Sequence, residues 1–168
     1  MSKLIITFFF VIGIVVYSGC HQESRPVDFP KLYPCQIKVT QNNIPVSDVS
    51  VAFYDPKVTD RWVVFGQTDQ NGKATIRTHG NFVGVPAGNY KIILTKIEKD
   101  GQGWDHPDSP TRKWVEDIKV YSLIDEKYTK QETTPLELVI EKKGVTQTFE
   151  IGQPVHILRE TINQNNLR

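Results

Sequence analysis

Residues 35–54 read CQIKVTQNNIPVSDVSVAFY, and the alternation of apolar and polar side chains in this stretch decides the fold class. Cys35, Ile37 and Val39 alternate with polar residues, and after a polar turn the same pattern returns over residues 49–53. A period of two is typical of a β-strand with one buried face. The stretch therefore predicts two successive strands of an all-β domain.

Strand patterns recur along the rest of the chain. Five further segments are rich in alternating apolar or β-branched residues, at 62–67, 74–77, 90–97, 136–140 and 145–151. The polar turn at 69–72 predicts a hairpin between the first two segments, and residues 142–144 predict a terminal hairpin between the last two. No stretch of ten or more residues has a clean helical period. About seven strands without helices predict an antiparallel β-sandwich.

The alternating positions of successive strands predict a single interior. Its members occupy every second residue and are apolar: Ile37, Val49, Val51, Phe53, Tyr90, Ile92 and Leu94. Cys35 begins the first strand, and free cysteine is among the residue types most often buried, so we expect it to be a small buried hydrophobe. The alternative is an exposed thiol that forms an intermolecular disulfide.

The N-terminal residues have the pattern of an export signal. Lys3 is followed by the apolar residues 4–16, a run of 13. A transmembrane helix needs about 20 residues, so a cleavable signal is favoured over a membrane-spanning anchor. Residues 18–20, Ser-Gly-Cys, then resemble the lipobox of bacterial lipoproteins, with Tyr17 where Leu is usual. The resemblance implies cleavage before Cys20 and a lipid on its sulfur; the alternative is a general secretory signal that leaves Cys20 free.

Composition excludes one class of partner. Removal of residues 1–19 takes away only Lys3 among the charged residues, so that 19 bases and 19 acids remain. A neutral surface lacks the basic face that neutralises phosphates, so we expect no nucleic-acid partner. Residues 20–34 are polar, with prolines at every fourth position from Pro26 to Pro34, which is typical of a tether.

Three motifs point to one known group of domains. Residues 45–51 match P-V-x-x-V-x-V, residues 68–72 match T-D-x-N-G, and residues 85–90 read V-P-A-G-N-Y. They resemble the opening hairpin, the turn and the entry to the long strand of the prealbumin-like (transthyretin-like) β-sandwich in its carboxypeptidase regulatory-like form. The resemblance covers residues 35–97 and implies a fold rather than an activity.

A narrower resemblance concerns the later part of the chain. Its residues match a segment found in small lipoproteins of this group, with Asp125 and Glu126 where Pro is usual: Ile124, Lys127, Tyr128, Thr133, Thr134, Leu136 and Phe149. It implies that residues 35–151 are one sandwich with an excursion at about 98–123. Together with the signal peptide at 1–19 and the tether at 20–34, this leaves a C-terminal tail at 152–168.

The densest polar cluster lies in the Gly- and Pro-rich segment 101–110. Its candidate ligand-binding residues are Trp104, Asp105, His106 and Asp108. The two carboxylates could hold a cation, and the indole could present an amphipathic ring to a sugar or a peptide. The alternative is a solvated surface loop that is closed by packing of Trp104.

Catalytic motifs are not found. The four histidines, His21, His79, His106 and His156, lack the close spacing of zinc ligands, so we expect no metal site and no cofactor. Transthyretin-like hydroxyisourate hydrolases end in Y-R-G-S, which this chain lacks, and intradiol dioxygenases need a close histidine pair. Ser47 and Ser50 lie in no nucleophile elbow. We assign no catalytic residue.

These observations predict a membrane-anchored, non-enzymatic β-sandwich lipoprotein that binds an envelope protein or a glycan, or serves as a structural accessory module. The alternative is a metal-binding protein or an unrecognised hydrolase that uses the 101–110 loop. His21, rather than an acid, follows the lipidated cysteine, which by the sorting rule of enteric bacteria indicates the outer membrane, with the domain facing the periplasm or the exterior.

Overall fold

The computed structural model describes residues 25–100 and 118–162, and most of these lie in β-strands. Helical structure within them is limited to the one-turn helix α1 (Pro56–Thr59) and a 3₁₀ turn at Glu126–Tyr128. The strands are β1 (Leu32–Tyr33), β2 (Cys35–Gln41), β3 (Ile44–Pro45), β4 (Ser50–Tyr54), β5 (Val64–Gln67), β6 (Lys73–Thr75), β7 (Arg77–Thr78), β8 (Phe82–Val83), β9 (Val85–Pro86), β10 (Gly88–Thr95), β11 (Ile97–Asp100), β12 (Ile118–Ser122), β13 (Glu137–Ile140), β14 (Val145–Glu150) and β15 (Ile157–Ile162).

Two sheets form the sandwich, which confirms the predicted fold class. The larger sheet has the strand order β13-β10-β4-β5-β7-β8, and all of its neighbours are antiparallel. In the smaller sheet β2 is central: β14 pairs with one side of it, and β3 and β6 pair with the other. The short strands β1 and β9 pair with each other beside these sheets.

The core lies between the two sheets. Ile37 and Val39 on β2 are fully buried, as are Val51 on β4 and Ile92 on β10. The ring of Phe53 meets the edge of the Tyr90 ring at a centroid distance of 5.4 Å and an angle of 68°. All seven residues predicted to share an interior belong to this one buried cluster, so that prediction is confirmed: Ile37, Val49, Val51, Phe53, Tyr90, Ile92 and Leu94.

The predicted terminal hairpin is wrong. β13 pairs with β10 in the larger sheet, whereas β14 runs parallel to β2 in the smaller one, with Val145 opposite Cys35. The residues between β13 and β14 therefore cross from one sheet to the other. Leu138 and Phe149 both face the interior, but from opposite sides of it. Two strands that bury the same core from opposite sheets have the same alternation as two strands of a hairpin.

The turn at 69–72 forms as predicted, but its strands separate. The Asp69 carboxylate accepts hydrogen bonds from the backbone N–H groups of Asn71 (2.8 Å) and Lys73 (2.9 Å), and Gly72 has a φ of 70° that favours glycine. Beyond the turn β5 pairs with β4 and β7, while β6 pairs with β2. The turn is thus a corner between the two sheets, and it is followed by the buried Ile76, where the chain changes sheets again.

A third, three-stranded sheet was not predicted. It has the order β11-β12-β15, and all of its pairs are antiparallel. β12 lies in the predicted excursion at about 98–123, and β15 lies in the predicted C-terminal tail at 152–168. The exposed residues of β15 show no alternation, so the sequence gives little signal for a strand there.

The later half of the predicted tether belongs to the domain. Phe29 packs against the rings of Trp62 and Phe82, and Tyr33 on β1 is buried opposite Val85. The folded part therefore begins near Phe29 rather than at Cys35. Among the described residues, no helix has the length and apolar character needed to cross a membrane.

Candidate functional site

The larger sheet has two distinct ends. At one end Thr95, Ser50 and Gln67 lie side by side on β10, β4 and β5. At the other end the backbone N–H of His79 donates to the carbonyl of Val63 over 2.7 Å. Gln67 and Val63 are four residues apart along the direction of β5, so the two ends of the sheet are separated by roughly 13 Å.

These ends carry different parts of the chain. The three-stranded sheet follows directly from Thr95, through β11, and we call this the distal end. Phe29 packs on Trp62 at the opposite end, which we call the proximal end because the N-terminal described residues join the sandwich there. The N-terminal residues and the three-stranded sheet are thus attached at opposite ends of the larger sheet.

Asp100 and Ile118, the described residues on either side of residues 101–117, lie in the three-stranded sheet at the distal end. Trp104, Asp105, His106 and Asp108 themselves lie outside the described residues, as does Cys20. The residues on either side are paired, with Asp100 on β11 opposite Lys119 on β12. The chain therefore leaves and re-enters the three-stranded sheet at adjacent positions.

The distal sheet also presents its own aromatic and ionic groups. The rings of Tyr121 and His156 stack at a centroid distance of 4.1 Å and an angle of 15°. The imidazole Nε2 of His156 lies 3.3 Å from the carboxylate of Glu98, and both side chains are more than half exposed. The three residues come from β11, β12 and the approach to β15, which are brought together by strand pairing across more than 50 residues. Sequence spacing therefore gave no indication of this group.

β15 is an exposed edge strand with apolar side chains. Within the described residues it pairs only with β12, so its outer side has backbone N–H and C=O groups without a strand partner. Ile157 and Leu158 at its start are exposed, as is Ile97 on the far side of the same sheet. An open edge with exposed apolar residues is a surface on which another strand can be added.

A groove lies along β13, β10 and the end of β4 in the larger sheet. It has a volume of about 630 Å³, and it is lined by Tyr54, Pro56, Asn89, Tyr90, Lys91, Glu137, Leu138 and Val139. The Tyr90 hydroxyl donates to the carbonyl of Pro86 over 3.0 Å. Burial, and to a lesser extent the charges of Asp55 and Cys35, raise the pKa of Tyr90 above its ordinary value. This phenol is therefore held protonated and is not a base.

The thiol of Cys35 is also unreactive. Its side chain is buried, as predicted, and burial raises the pKa of Cys35 from 9.0 to about 12. The thiolate is the nucleophilic form of cysteine, and at neutral pH almost none of it is present here. Cys35 is unpaired.

The two described histidines lie far apart in the fold. His79 is at the proximal end against Trp62, and His156 is at the distal end. Within residues 25–100 and 118–162, no three side chains of His, Cys, Asp or Glu are grouped closely enough to hold a metal ion.

No protein-family model, curated protein or solved structure matches this chain.

Proposed function

We propose that this protein is a lipid-anchored, non-enzymatic binding module of the cell envelope, attached through Cys20 and facing the periplasm or the exterior. The observation that carries this proposal is the placement of the N-terminal residues and the three-stranded sheet at opposite ends of the larger sheet. A membrane anchor at one end leaves the other end directed away from the bilayer. His21 after the modified cysteine favours the outer membrane.

Recognition is assigned to the distal end. It has the stacked Tyr121 and His156, and it has the exposed edge of β15. The 101–117 segment, which includes Trp104, also begins and ends there. Aromatic rings and unpaired backbone groups are suited to peptide recognition, because an added strand gains main-chain hydrogen bonds while pockets select its side chains. We therefore propose a protein as the partner, bound in an extended conformation.

A binding role is supported by the state of two buried titratable groups among the described residues. Cys35 and Tyr90 are buried, and burial raises the pKa of both. A group that stays protonated at neutral pH supplies neither a thiolate nor a phenolate. The described surface at the distal end offers apolar, aromatic and ionic groups for contact.

Site-specific photo-crosslinking in intact cells tests the proposed function. A photoreactive amino acid replaces Leu158 at the distal end, and in the matched control it replaces Val139, an equally apolar residue on the edge strand β13. Their exposed fractions are similar, at 51% for Leu158 and 58% for Val139. We expect a protein adduct of defined mass from position 158 and none from position 139.

Two results would contradict this assignment. Adducts from position 139 alone would move recognition to the groove along β13 and β10. The alternative function, a metal-binding protein or hydrolase that uses the 101–110 loop, predicts a rise in Tm on addition of calcium or zinc, because a ligand that binds only the folded state stabilises it. Such a rise without a position-158 adduct would favour that alternative.

A further inference from the structure

The proximal end has an aromatic cluster that neither the core nor the distal site uses. The ring of Phe29 lies 5.0 Å from that of Trp62, at an angle of 76°, and 4.6 Å from that of Phe82. His79 meets Trp62 edge-on at 5.6 Å. The rings come from the N-terminal residues, from the segment after α1 and from β8, and each of Phe29, Trp62 and Phe82 is only partly buried.

Exposed aliphatic residues flank this cluster. Val27 precedes Phe29 in the chain and is 88% exposed, and Val63 follows Trp62 and is also exposed. Together with the rings they place apolar groups from three chain segments at the proximal end. We define the proximal patch as Val27, Phe29, Trp62, Val63 and Phe82 together with the two arginines described next.

Two arginines lie on the rings of the proximal patch. The guanidinium carbon of Arg25 is 5.9 Å from the centre of the Phe29 ring and 6.0 Å from that of Phe82, and that of Arg61 is 6.0 Å from the centre of the Trp62 ring. Neither arginine takes part in an ion pair with another described residue. Their charges are therefore available to an external anion.

The surrounding segments have an excess of positive charge, although the mature chain as a whole is neutral. Residues 25–31, 57–63 and 77–83 contain five bases, all exposed, and two acids, Asp28 and Asp60. The bases are Arg25, Lys31, Lys57, Arg61 and Arg77. Charge on the described surface is thus unevenly distributed, with the basic excess beside exposed apolar and aromatic groups.

The length of chain outside the described residues restricts what can face this patch. Cys20 precedes Arg25 by five residues, which span at most about 18 Å when fully extended. If Cys20 carries the lipid, Arg25 cannot move further than this from the headgroups, and the rest of the patch is held near it by the fold. A weak attraction then suffices to hold it at the surface, because a short tether keeps the effective concentration of the bilayer high.

We infer that the proximal patch rests on the surface of a bilayer that contains anionic lipid headgroups. This inference rests on the proposed lipid anchor at Cys20. Trp62, Phe29 and Phe82 enter the headgroup region, where amphipathic and aromatic rings are favoured, and Arg25 and Arg61 bind lipid phosphates. The contact orients the domain so that the distal end points away from the membrane.

Depth-dependent quenching of Trp62 tests the docking. The chain has three tryptophans, and the variant W104F/W114F retains only Trp62. The full lipidated chain is reconstituted into vesicles of brominated phosphatidylcholine, with or without phosphatidylglycerol. Bromine quenches indole only at short range, so we expect blue-shifted and strongly quenched Trp62 emission in the vesicles that contain phosphatidylglycerol.

Charge reversal at the patch supplies the second comparison. R25E/R61E in the same single-tryptophan background should raise the ratio of undocked to docked chains by more than about tenfold. The reason is that each basic residue near an anionic surface raises the affinity about fivefold. The matched control K99E/K119E makes the same change of charge on exposed lysines of the distal sheet. We expect the control to leave quenching unchanged. The melting temperature of each variant shows whether it is folded.

The outcomes separate the docking from the anchor. Vesicle-bound chains whose Trp62 is not quenched would overturn the docking and leave the lipid anchor intact. Chains that do not stay with the vesicles would overturn both. Equal quenching in R25E/R61E and the parent chain would show that the patch does not recognise anionic headgroups. A patch that binds a protein or a glycan instead would give either this result or no quenching.

Discussion

The buried hydroxyl of Thr68 accepts a hydrogen bond from the backbone N–H of Val49 over 2.9 Å and donates one to the carbonyl of Val46 over 2.7 Å. One side chain thus satisfies a donor and an acceptor in the segment that leads into β4. Thr68 is the first residue of the T-D-x-N-G motif, and the structure gives a physical reason for threonine there. A residue without a hydroxyl would leave the buried N–H of Val49 and the half-buried carbonyl of Val46 without this partner.

Thr68→Val should therefore destabilise the domain. The two side chains have nearly the same shape, so the change removes hydrogen bonds without opening a cavity. An unsatisfied buried polar group costs about 1–3 kcal/mol, and we expect a loss of about 2–4 kcal/mol in the free energy of unfolding. Urea denaturation measures it. Thr75→Val, at an exposed position on β6, is the control, and an equally small effect at both positions would contradict the role of Thr68.

Phe53→Ala should create a cavity in the core. Phe53 is buried against Tyr90, and truncation of a large buried side chain costs roughly 3–5 kcal/mol. Phe65, which is 42% exposed on the outer face of the same sheet, serves as the comparison, and Phe65→Ala should cost less than half as much. The midpoint of denaturant unfolding gives both values. A loss below about 1 kcal/mol for Phe53→Ala would be inconsistent with its place in the core.

The raised pKa of Cys35 predicts a loss of stability at alkaline pH. The folded state holds the thiol proton up to about pH 12, whereas the unfolded chain releases it near 9.0. Below pH 9.0 both states are protonated, and this group does not change the stability. Between pH 9.0 and about 12 the unfolded state loses the proton first, so the free energy of unfolding falls by up to about 1.4 kcal/mol per pH unit.

Cys35→Ala supplies the control for that measurement, because it removes the titrating group. The pH slope in this window should be smaller in the variant than in the parent chain. Thiol labelling gives an independent check: we expect Cys35 to react with iodoacetamide only on unfolding. Rapid labelling of the native protein at neutral pH would show that the thiol is accessible.

Lipid attachment at Cys20 is decided by mass spectrometry of the mature N-terminus. We expect a chain that begins at Cys20 and carries acyl groups. Each methylene buried in the bilayer contributes about 0.8 kcal/mol, so several acyl chains attach the protein firmly to the membrane. Cys20→Ala should release the protein from the membrane or block its processing. A water-soluble product that begins at another residue would contradict the anchor, as would unchanged membrane retention of a processed Cys20→Ala chain.

Replacement of residues 101–110 by a short Gly-Ser turn should be tolerated by the fold. Asp100, which precedes the segment, is opposite Lys119 in the three-stranded sheet, so the chain on either side of residues 101–118 already lies side by side. We expect a change in Tm of only a few degrees, equivalent to about 1 kcal/mol for a domain of this size, and loss of partner capture. Global unfolding would show that Trp104 is structural, and intact capture would place recognition elsewhere.

Much of the fold could be predicted because period-two alternation reports directly on burial. The pattern of residues 35–39 and 49–53 identified the face of each strand that is buried, and the structure confirms it at Ile37, Val51 and Phe53. Cys35 was predicted to be buried for the same reason. The turn at 69–72 was predicted from its chemistry, since Asp, Asn and Gly favour a turn whatever strands lie on either side.

The candidate site could be predicted only in part. A Gly- and Pro-rich segment with Trp104 stands out locally in the sequence, but it lies outside the described residues, and only Asp100 before it is described, opposite Lys119. The pairing of Tyr121 with His156 and that of Phe29 with Trp62 give no local signal. Each member of these pairs is an isolated aromatic residue in its own segment, and only folding brings the rings together.

The sequence by itself determined the all-β class and the buried face of the main strands. Only the tertiary structure decided which strands are neighbours: β14 runs parallel to β2 rather than forming a hairpin with β13, and β15 completes a third sheet with β12. The physical reason is that burial depends on the side chain, which the sequence specifies residue by residue, whereas strand pairing is made by backbone N–H and C=O groups that nearly every residue shares.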